Sequence, residues 1–365
     1  MSETNEELVV ENDKCGDYKK LKEFFEGLSG EKPVALFSHR SPDPDAISSM
    51  LGMVWVLNRV YGIDADIFYD GEISHPQNSA MVNLLSIDML RACDYEAENY
   101  EANIVLDTVP KNAGTSKNKI NFDVCIDHHN KDQANGYKGI FIHNKVGSCA
   151  GIVYDIAKSL VPKDKWFQDE VDFDQKVATS LIAGIMTDTH FMLSSDCTEY
   201  ELDAFVGLQK FRDENKLEQI LFFRRSKFWT IRKAEGALSA KIDEEGNAIV
   251  GLGLIPEKER DIIADMADEM ATWSGVSTAI CFAVVNGDRV AGSVRSLNAS
   301  LSVAEFCKKL GTRHGGGGGK QGKGAYNLPL AGFSIEPDED EQEAEEAWGL
   351  IKKREMSRIH RILKK

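Results

Sequence analysis

The residues best able to do chemistry lie in Ser38–Ser49, S-H-R-S-P-D-P-D-A-I-S-S, at the end of the apolar run Pro33–Ser38. His39, Asp43 and Asp45 bring one imidazole and two carboxylates within seven residues. Pro42 and Pro44 stiffen the segment, so it reads as an extended loop aiming both carboxylates at neighbouring hard cations. Imidazole with carboxylate suits Mn²⁺, Mg²⁺ or Fe²⁺ better than copper or a structural zinc. The same chemistry recurs further on. Asp107 ends the run Asn103–Leu106, Asp127-His128-His129 ends Phe122–Ile126, and Asp188 closes Leu181–Ile185 within G-I-M-T-D-T-H. Each has an ordinary explanation by itself: Asp107 a helix cap, Asp188 a carboxylate at a turn, the two histidines core groups satisfied by backbone. Four element ends with the same ligand chemistry point instead to one metal centre.

The elements that must position these groups follow a repeated grammar. Short apolar runs (Pro33–Ser38, Ala65–Tyr69, Asn103–Leu106, Phe122–Ile126) end in polar residues, and the first two flank the helix-length stretch Ile47–Val60. Strands alternating with helices imply an α/β fold with a parallel sheet and right-handed crossovers. Near-continuous apolar runs fit strands buried on both faces. Ligands of such sheets gather at the carboxyl ends of the strands, where the acidic and histidine residues sit. Leu21, Phe24, Phe25 and Leu28 mark an amphipathic lead-in, and helices are expected at Ala150–Ser159 and Lys176–Thr187.

Residues 201–239 read as a helical linker between a domain at 1–200 and a smaller α/β domain at 240–335. The second domain should contain strands Ala248–Ile255, Thr278–Val285 and Arg289–Ser296, the last two joined by a turn at Asn286-Gly287-Asp288. It ends in a glycine cluster and the run Leu328–Ile335. The tail, 336–365, is acidic at its start and basic at its end, which complements a helix dipole. Ala344, Ala347, Ile351, Ile359 and Ile362 fall on one face, so the tail reads as a helix packed on the body or on a partner; a basic nucleic-acid arm is the alternative.

The bulk composition narrows the classes. With 365 residues, 42% hydrophobic and 28% charged, the chain is an ordinary globular one, long enough for two cores. It lacks an apolar run long enough to span a bilayer, and its N-terminus is polar and acidic, so a cytoplasmic location without membrane attachment is expected. Seven cysteines stand singly, which argues against a disulfide framework or a cysteine-ligated zinc. A net charge of −16 works against binding long duplex DNA, though metals and local cations can still hold a small anion.

The ordered set H-x-x-x-D-x-D, a strand-end Asp, D-H-H and T-D-T resembles the DHH phosphoesterases. With the glycine-rich second domain, the chain from about Pro33 to Gly332 resembles the oligoribonuclease/pAp-phosphatase (nano-RNase) group, which carries a C-terminal DHH-associated domain. The resemblance implies two divalent metals bridged by Asp107, with His39 and Asp43 completing one site and Asp45, His128 and Asp188 the other. Asp107 and His129 would be catalytic, His129 contacting the scissile phosphate or the leaving group. Paired cations of this kind activate water and stabilise phosphoryl charge, so no Ser, Cys or Lys nucleophile is required. His75 and Asn78 would touch substrate; so would Arg295 and Ser296, from a strand presenting arginine to phosphate. Arg313–Ala325 resembles the family's glycine-rich loop, placing His314, Gly316, Gly317, Gly318, Gly319 and Lys320 against a phosphate, with glycine amides forming an anion nest. Two departures stand out: Lys320 follows the glycines where the family has histidine, and His190 follows T-D-T where glycine is usual.

These readings imply an enzyme that hydrolyses phosphate esters in short substrates held in a cleft between the domains. The candidates are di- to penta-nucleotides, linear or cyclic dinucleotides and adenosine 3′,5′-bisphosphate. Mn²⁺ is the expected metal, with Mg²⁺ or Fe²⁺ as alternatives, and the reading is compatible with a homodimer. The rivals are a catalytically weak nucleotide-binding regulatory protein on the same fold and an exopolyphosphatase or pyrophosphatase-like hydrolase.

Overall fold

In the computed structural model, residues 14–364 are described, apart from 116–118, 130, 313, 321, 332–334 and 336–339. The chain divides into two units, one ending at Arg224 and the other beginning at Arg225. In the first, the apolar runs form the strands of a six-stranded, all-parallel sheet: β1 (Val34–Phe37), β2 (Ala65–Tyr69), β3 (Leu90–Arg91), β4 (Ala102–Leu106), β5 (Val124–Asp127) and β6 (Ile140–His143). Their spatial order is β3-β2-β1-β4-β5-β6, so the chain reverses its direction of progress between β1 and β4. A crevice opens outside the strand ends at such a switch point. All four residues of β1 are buried, as expected of a strand covered on both faces. The helices are α1 (Lys14–Glu26), α2 (Pro44–Val56), α3 (Pro76–Leu84), α4 (Cys149–Leu160), α5 (Asp172–Asp188), α6 (Glu199–Leu208) and α7 (Glu214–Leu221).

Two local features differ from expectation. Asp43 and Asp45 do not share an extended loop. Asp43 is the N-cap of α2, its Oδ1 accepting the Asp45 and Ala46 amides at 3.1 Å, and Asp45 lies in the first helical turn. Pro44 takes the first helical position, where its fixed φ is an advantage and its missing N–H costs nothing. The stretch 201–239 is also divided: Ala204, Leu208, Phe211, Leu217 and Ile220 join the core of the first unit, while Trp229 joins a core of the second.

The second unit comprises α8 (Lys227–Ser239), β7 (Lys241–Ile242), β8 (Asn247–Ile255), α9 (Ile262–Met270), β9 (Thr278–Val285), β10 (Arg289–Ser296), α10 (Val303–Gly311), β11 (Gly316–Lys320), β12 (Lys323–Pro329) and α11 (Glu341–Leu363). Its mixed sheet runs β11-β12-β10-β9-β8-β7. The glycine cluster is not a nest-forming loop. It is the edge strand β11, paired antiparallel with β12, and none of Gly315–Gly319 adopts a positive φ. The glycines serve close packing here: a Cβ on Gly317 would strike the Cys307 carbonyl of α10, and one on Gly319 the Lys323 carbonyl of β12. Gly316 and Gly318 face open space instead. The tail forms α11, whose Ile359 is fully buried against the sheet core. Among the described residues no helix is long and apolar enough to cross a membrane.

Candidate metal centre

Three strand ends and two helix ends of the first unit converge. His39 follows β1, Asp107 follows β4, His128 and His129 follow β5, Asp43 and Asp45 open α2, and Asp188 closes α5. Asp107 takes φ 57°, a left-handed conformation that Asp tolerates better than most residues, and donates its amide to the Ile126 carbonyl at 2.9 Å. The helix ends are set by the contact of α2 with α5, where a Cβ on Gly184 would collide with Ser48 Oγ and lie 3.0 Å from the Pro44 carbonyl oxygen.

Donor atoms gather in three overlapping groups: His39 with Asp43 and Asp107; Asp45 with His128 and Asp188; and Asp107 with His128 and His129. His39 Nε2 lies 3.8 Å from Asp43 Oδ1 and 3.5 Å from Asp107 Oδ2. His128 Nε2 lies 3.4 Å from Asp107 Oδ1, 3.4 Å from Asp188 Oδ2 and 4.0 Å from Asp45 Oδ2. These separations are longer than good hydrogen bonds. They approach the roughly 3.0–3.4 Å between two donors bound at about 2.1 Å to one ion. The buried Asp107 Oδ1 has no hydrogen-bond partner, and among the described residues no Lys or Arg ion-pairs with Asp43, Asp45, Asp107 or Asp188. A cluster of four carboxylates with no Lys or Arg paired to it fits hard divalent metal ions.

The surroundings orient each donor. His128 Nδ1 donates to the Val146 carbonyl at 3.0 Å, which leaves Nε2 to face the carboxylates. Asp45 accepts the Cys149 and Ala150 amides at 2.7 and 2.8 Å, docking α2 on the N-terminus of α4. Burial opposes the charged forms of both histidines, but the adjoining carboxylates win: His39 is pushed well above the usual imidazole range and His128 up to about 11. For Asp107, burial raises the pKa, yet the contacts with His128 and His39 hold it below the carboxylate range. Burial pushes Asp188 up to about 6, and raises Asp45 as well, with help from the neighbouring carboxylates.

Of the other expected substrate contacts in this unit, His75 caps α3, its Nδ1 accepting the Gln77 amide at 3.2 Å, and Asn78 is buried with Nδ2 donating to the Pro42 carbonyl at 3.0 Å. Asn78 therefore braces the segment that carries Asp43. His190 adopts φ 49°, a region that glycine occupies at no steric cost.

In the second unit, Arg295, Ser293, Gly316–Gly319 and Lys323 line a groove of about 560 Å³. Arg295 is held in a bidentate pair with Asp268, Nε and Nη2 lying 2.5 and 2.8 Å from its oxygens. Ser296 Oγ lies 2.9 Å from Thr278 Oγ1. His314 is exposed, and its backbone amide reaches the Thr312 hydroxyl at 3.4 Å. Arg313 and the Lys320 side chain lie outside the described residues.

Residues 33–185 match the DHH family, N-terminal domain. This segment holds every donor of the cluster except Asp188, three residues beyond its end. The chain is 28% identical over 337 residues to an uncharacterized protein of Methanocaldococcus jannaschii, covering 91% of this chain and 64% of that protein. It therefore spans about two-thirds of the length of that relative, slightly under. The fold is similar to that of an exopolyphosphatase-related protein from Bacteroides fragilis, with TM-score 0.64 and 16% identity over 94% of this chain and 98% of the other. The parallel sheet followed by a mixed-sheet unit is consistent with a two-domain DHH architecture.

One residue of the site escaped the sequence reading. Asp127 is buried and its Oδ1 accepts from His129 Nδ1 at 2.9 Å, fixing that imidazole. The only signal was its place in D-H-H, where it read as the end of a strand.

Proposed function

We propose that this chain is a metal-dependent phosphoesterase of the DHH type, acting on short oligonucleotides or small nucleotides with two divalent ions, Mn²⁺ first among them. The observation that carries this reading is Asp107. It is buried, belongs to two of the three donor groups outright through opposite oxygens, and has an oxygen without a hydrogen-bond partner. His39, Asp43 and Asp107 would hold one ion, and Asp45, His128, Asp188 and Asp107 the other. When bound, such ions supply Lewis-acid polarisation of a phosphoryl oxygen and lower the pKa of water. The chain's own residues do the rest. Asp127 accepts from His129 Nδ1 and fixes that ring, so that Nε2 would be the nitrogen offered to the scissile phosphate or the leaving oxygen. The His128–Val146 contact fixes the tautomer that turns Nε2 inward. In the second unit, Arg295, released from Asp268, and the edge β11 would offer a groove for a further phosphate, which favours substrates carrying more than one.

The second reading, a hydrolase of pyrophosphate or polyphosphate, draws support from the fold shared with an exopolyphosphatase-related protein. Pure protein with Mn²⁺ should be assayed against di- to pentanucleotides, linear and cyclic dinucleotides, adenosine 3′,5′-bisphosphate, pyrophosphate, tripolyphosphate and a long single strand. Turnover concentrated on the short nucleotides is expected. Turnover confined to pyrophosphate or tripolyphosphate would establish the second reading. Binding without turnover under Mn²⁺, Mg²⁺ and Fe²⁺ would leave a nucleotide-binding regulator.

A further inference from the structure

The chain carries a net charge of −16, yet one groove of its second unit is cationic. This groove, about 880 Å³, is lined by Lys241, Lys352, Lys353, Arg361 and Lys364 together with His360, and among the described residues no Asp or Glu lines it. Among the described residues none of these five cations is ion-paired, whereas the neighbouring Arg358 is tied to Glu355. Unpaired cations gathered around one groove, Lys241 from β7 and the others from α11 and its C-cap, repel each other, so an anion there is favoured. Ile359 anchors α11 in the core, with Ile351, Met356 and Ile362 packed beside it, so the backbone that carries Lys352, Lys353, Arg361 and Lys364 is held in place over about 18 Å along the axis. None of the lining residues belongs to the metal cluster or to the Arg295 groove.

The groove does not end at the cations. Past Ser239, Gly251 and Lys352, which line both parts, it continues into a section of about 410 Å³ lined by Trp348, Leu252, Leu254 and Glu345. One end thus offers positive charge, and the other an indole, aliphatic surface and a carboxylate able to accept from an amino group. We propose that this is a second binding site, for a nucleotide bearing several phosphates: the phosphates along Lys353, Arg361 and Lys364, the base beside Trp348. The volume suits a small ligand. A long single strand fits it poorly, because such strands need successive stacking platforms, and past Trp348 the groove offers, among the described residues, only Arg232, tied to Glu235 at 3.1 Å, with Glu345 opposing a backbone. A membrane surface fits it poorly as well, since the apolar face of α11 is occupied by the sheet core.

The test is calorimetric titration of the full chain with adenosine 5′-triphosphate in EDTA, which suppresses binding at the metal cluster. Wild type is compared with Lys353→Glu/Arg361→Glu, both exposed positions, and with Arg295→Ala. The double variant should weaken binding by about tenfold or more while Arg295→Ala leaves it unchanged, and adenosine or tripolyphosphate alone should bind at least about tenfold more weakly than the triphosphate. The proposal is overturned if the triphosphate does not bind, or if the double variant binds it as wild type does. It is equally overturned if tripolyphosphate matches the triphosphate, or if a twenty-nucleotide strand or anionic vesicles bind through the same cations in preference to it.

Discussion

Replacing Asp107 with Asn removes one charge at the point shared by the donor groups while conserving shape. Asn accepts the left-handed backbone that Asp107 occupies, so the turn after β4 should survive. His39 and His128 stand 3.5 and 3.4 Å from the two carboxylate oxygens. At an effective dielectric constant of about 20, a unit charge at that distance interacts with each by roughly 4–5 kcal/mol. A divalent ion bound more closely loses at least as much, before any effect on its partner site. A transition-state loss of about 4 kcal/mol corresponds to roughly a thousandfold in kcat/KM. The assay is steady-state hydrolysis of the best substrate of the panel, beside a Mn²⁺ titration and a far-ultraviolet dichroism spectrum in EDTA. We expect an unchanged spectrum, activity down by about a thousandfold or more, and weakened Mn²⁺ binding at both positions. Retention of more than about a tenth of wild-type kcat/KM with unaltered Mn²⁺ stoichiometry would refute the reasoning.

Two further outcomes follow from the same geometry. With His128 pushed up to about 11, the metal-free protein keeps that imidazole protonated at neutral pH, so a metal must expel the proton to bind. Apparent affinity should therefore rise with pH by up to about tenfold per unit for each proton released, and fall more steeply below about pH 6, where Asp188 also protonates. Titrations in buffers of different ionisation heat measure the release directly, and a release of zero protons, or a net uptake, contradicts it. Separately, Gly184→Ala forces α2 from α5 at Ser48 and Pro44, next to both Asp45 and Asp188. It should cost about 1–3 kcal/mol of stability by urea denaturation and weaken Mn²⁺ binding; full stability with wild-type affinity would show that the close approach does not position the donors.

The sequence carried the sheet well because buried parallel strands leave continuous apolar runs, and the residue ending each run is the one that meets the crevice. His39, Asp107 and His128 were legible for that reason, as were β9 and β10, whose shared turn at Asn286-Gly287-Asp288 is a local signal. What the sequence could not show depends on partners far along the chain. Asp45 reads as a loop carboxylate until α4 arrives with the Cys149 and Ala150 amides. Five successive glycines read as a phosphate-binding loop, because nothing local announces that α10 and β12 leave no room for a Cβ at Gly315, Gly317 and Gly319. The contact from Asn78 Nδ2 to the Pro42 carbonyl joins residues 36 apart and leaves no local signal. The two-residue strand β3 lacks the length to stand out, and the Arg295–Asp268 pair joins residues 27 apart on a strand and a helix.

The central claim is that one cluster holds two divalent ions with Asp107 between them. Crystals soaked in Mn²⁺ and measured at the manganese absorption edge decide it most directly. The account predicts two separate anomalous peaks, one against His39 and Asp43, the other against Asp45, His128 and Asp188, with Asp107 touching both through its two oxygens. A single peak, or peaks away from these six side chains, would contradict it.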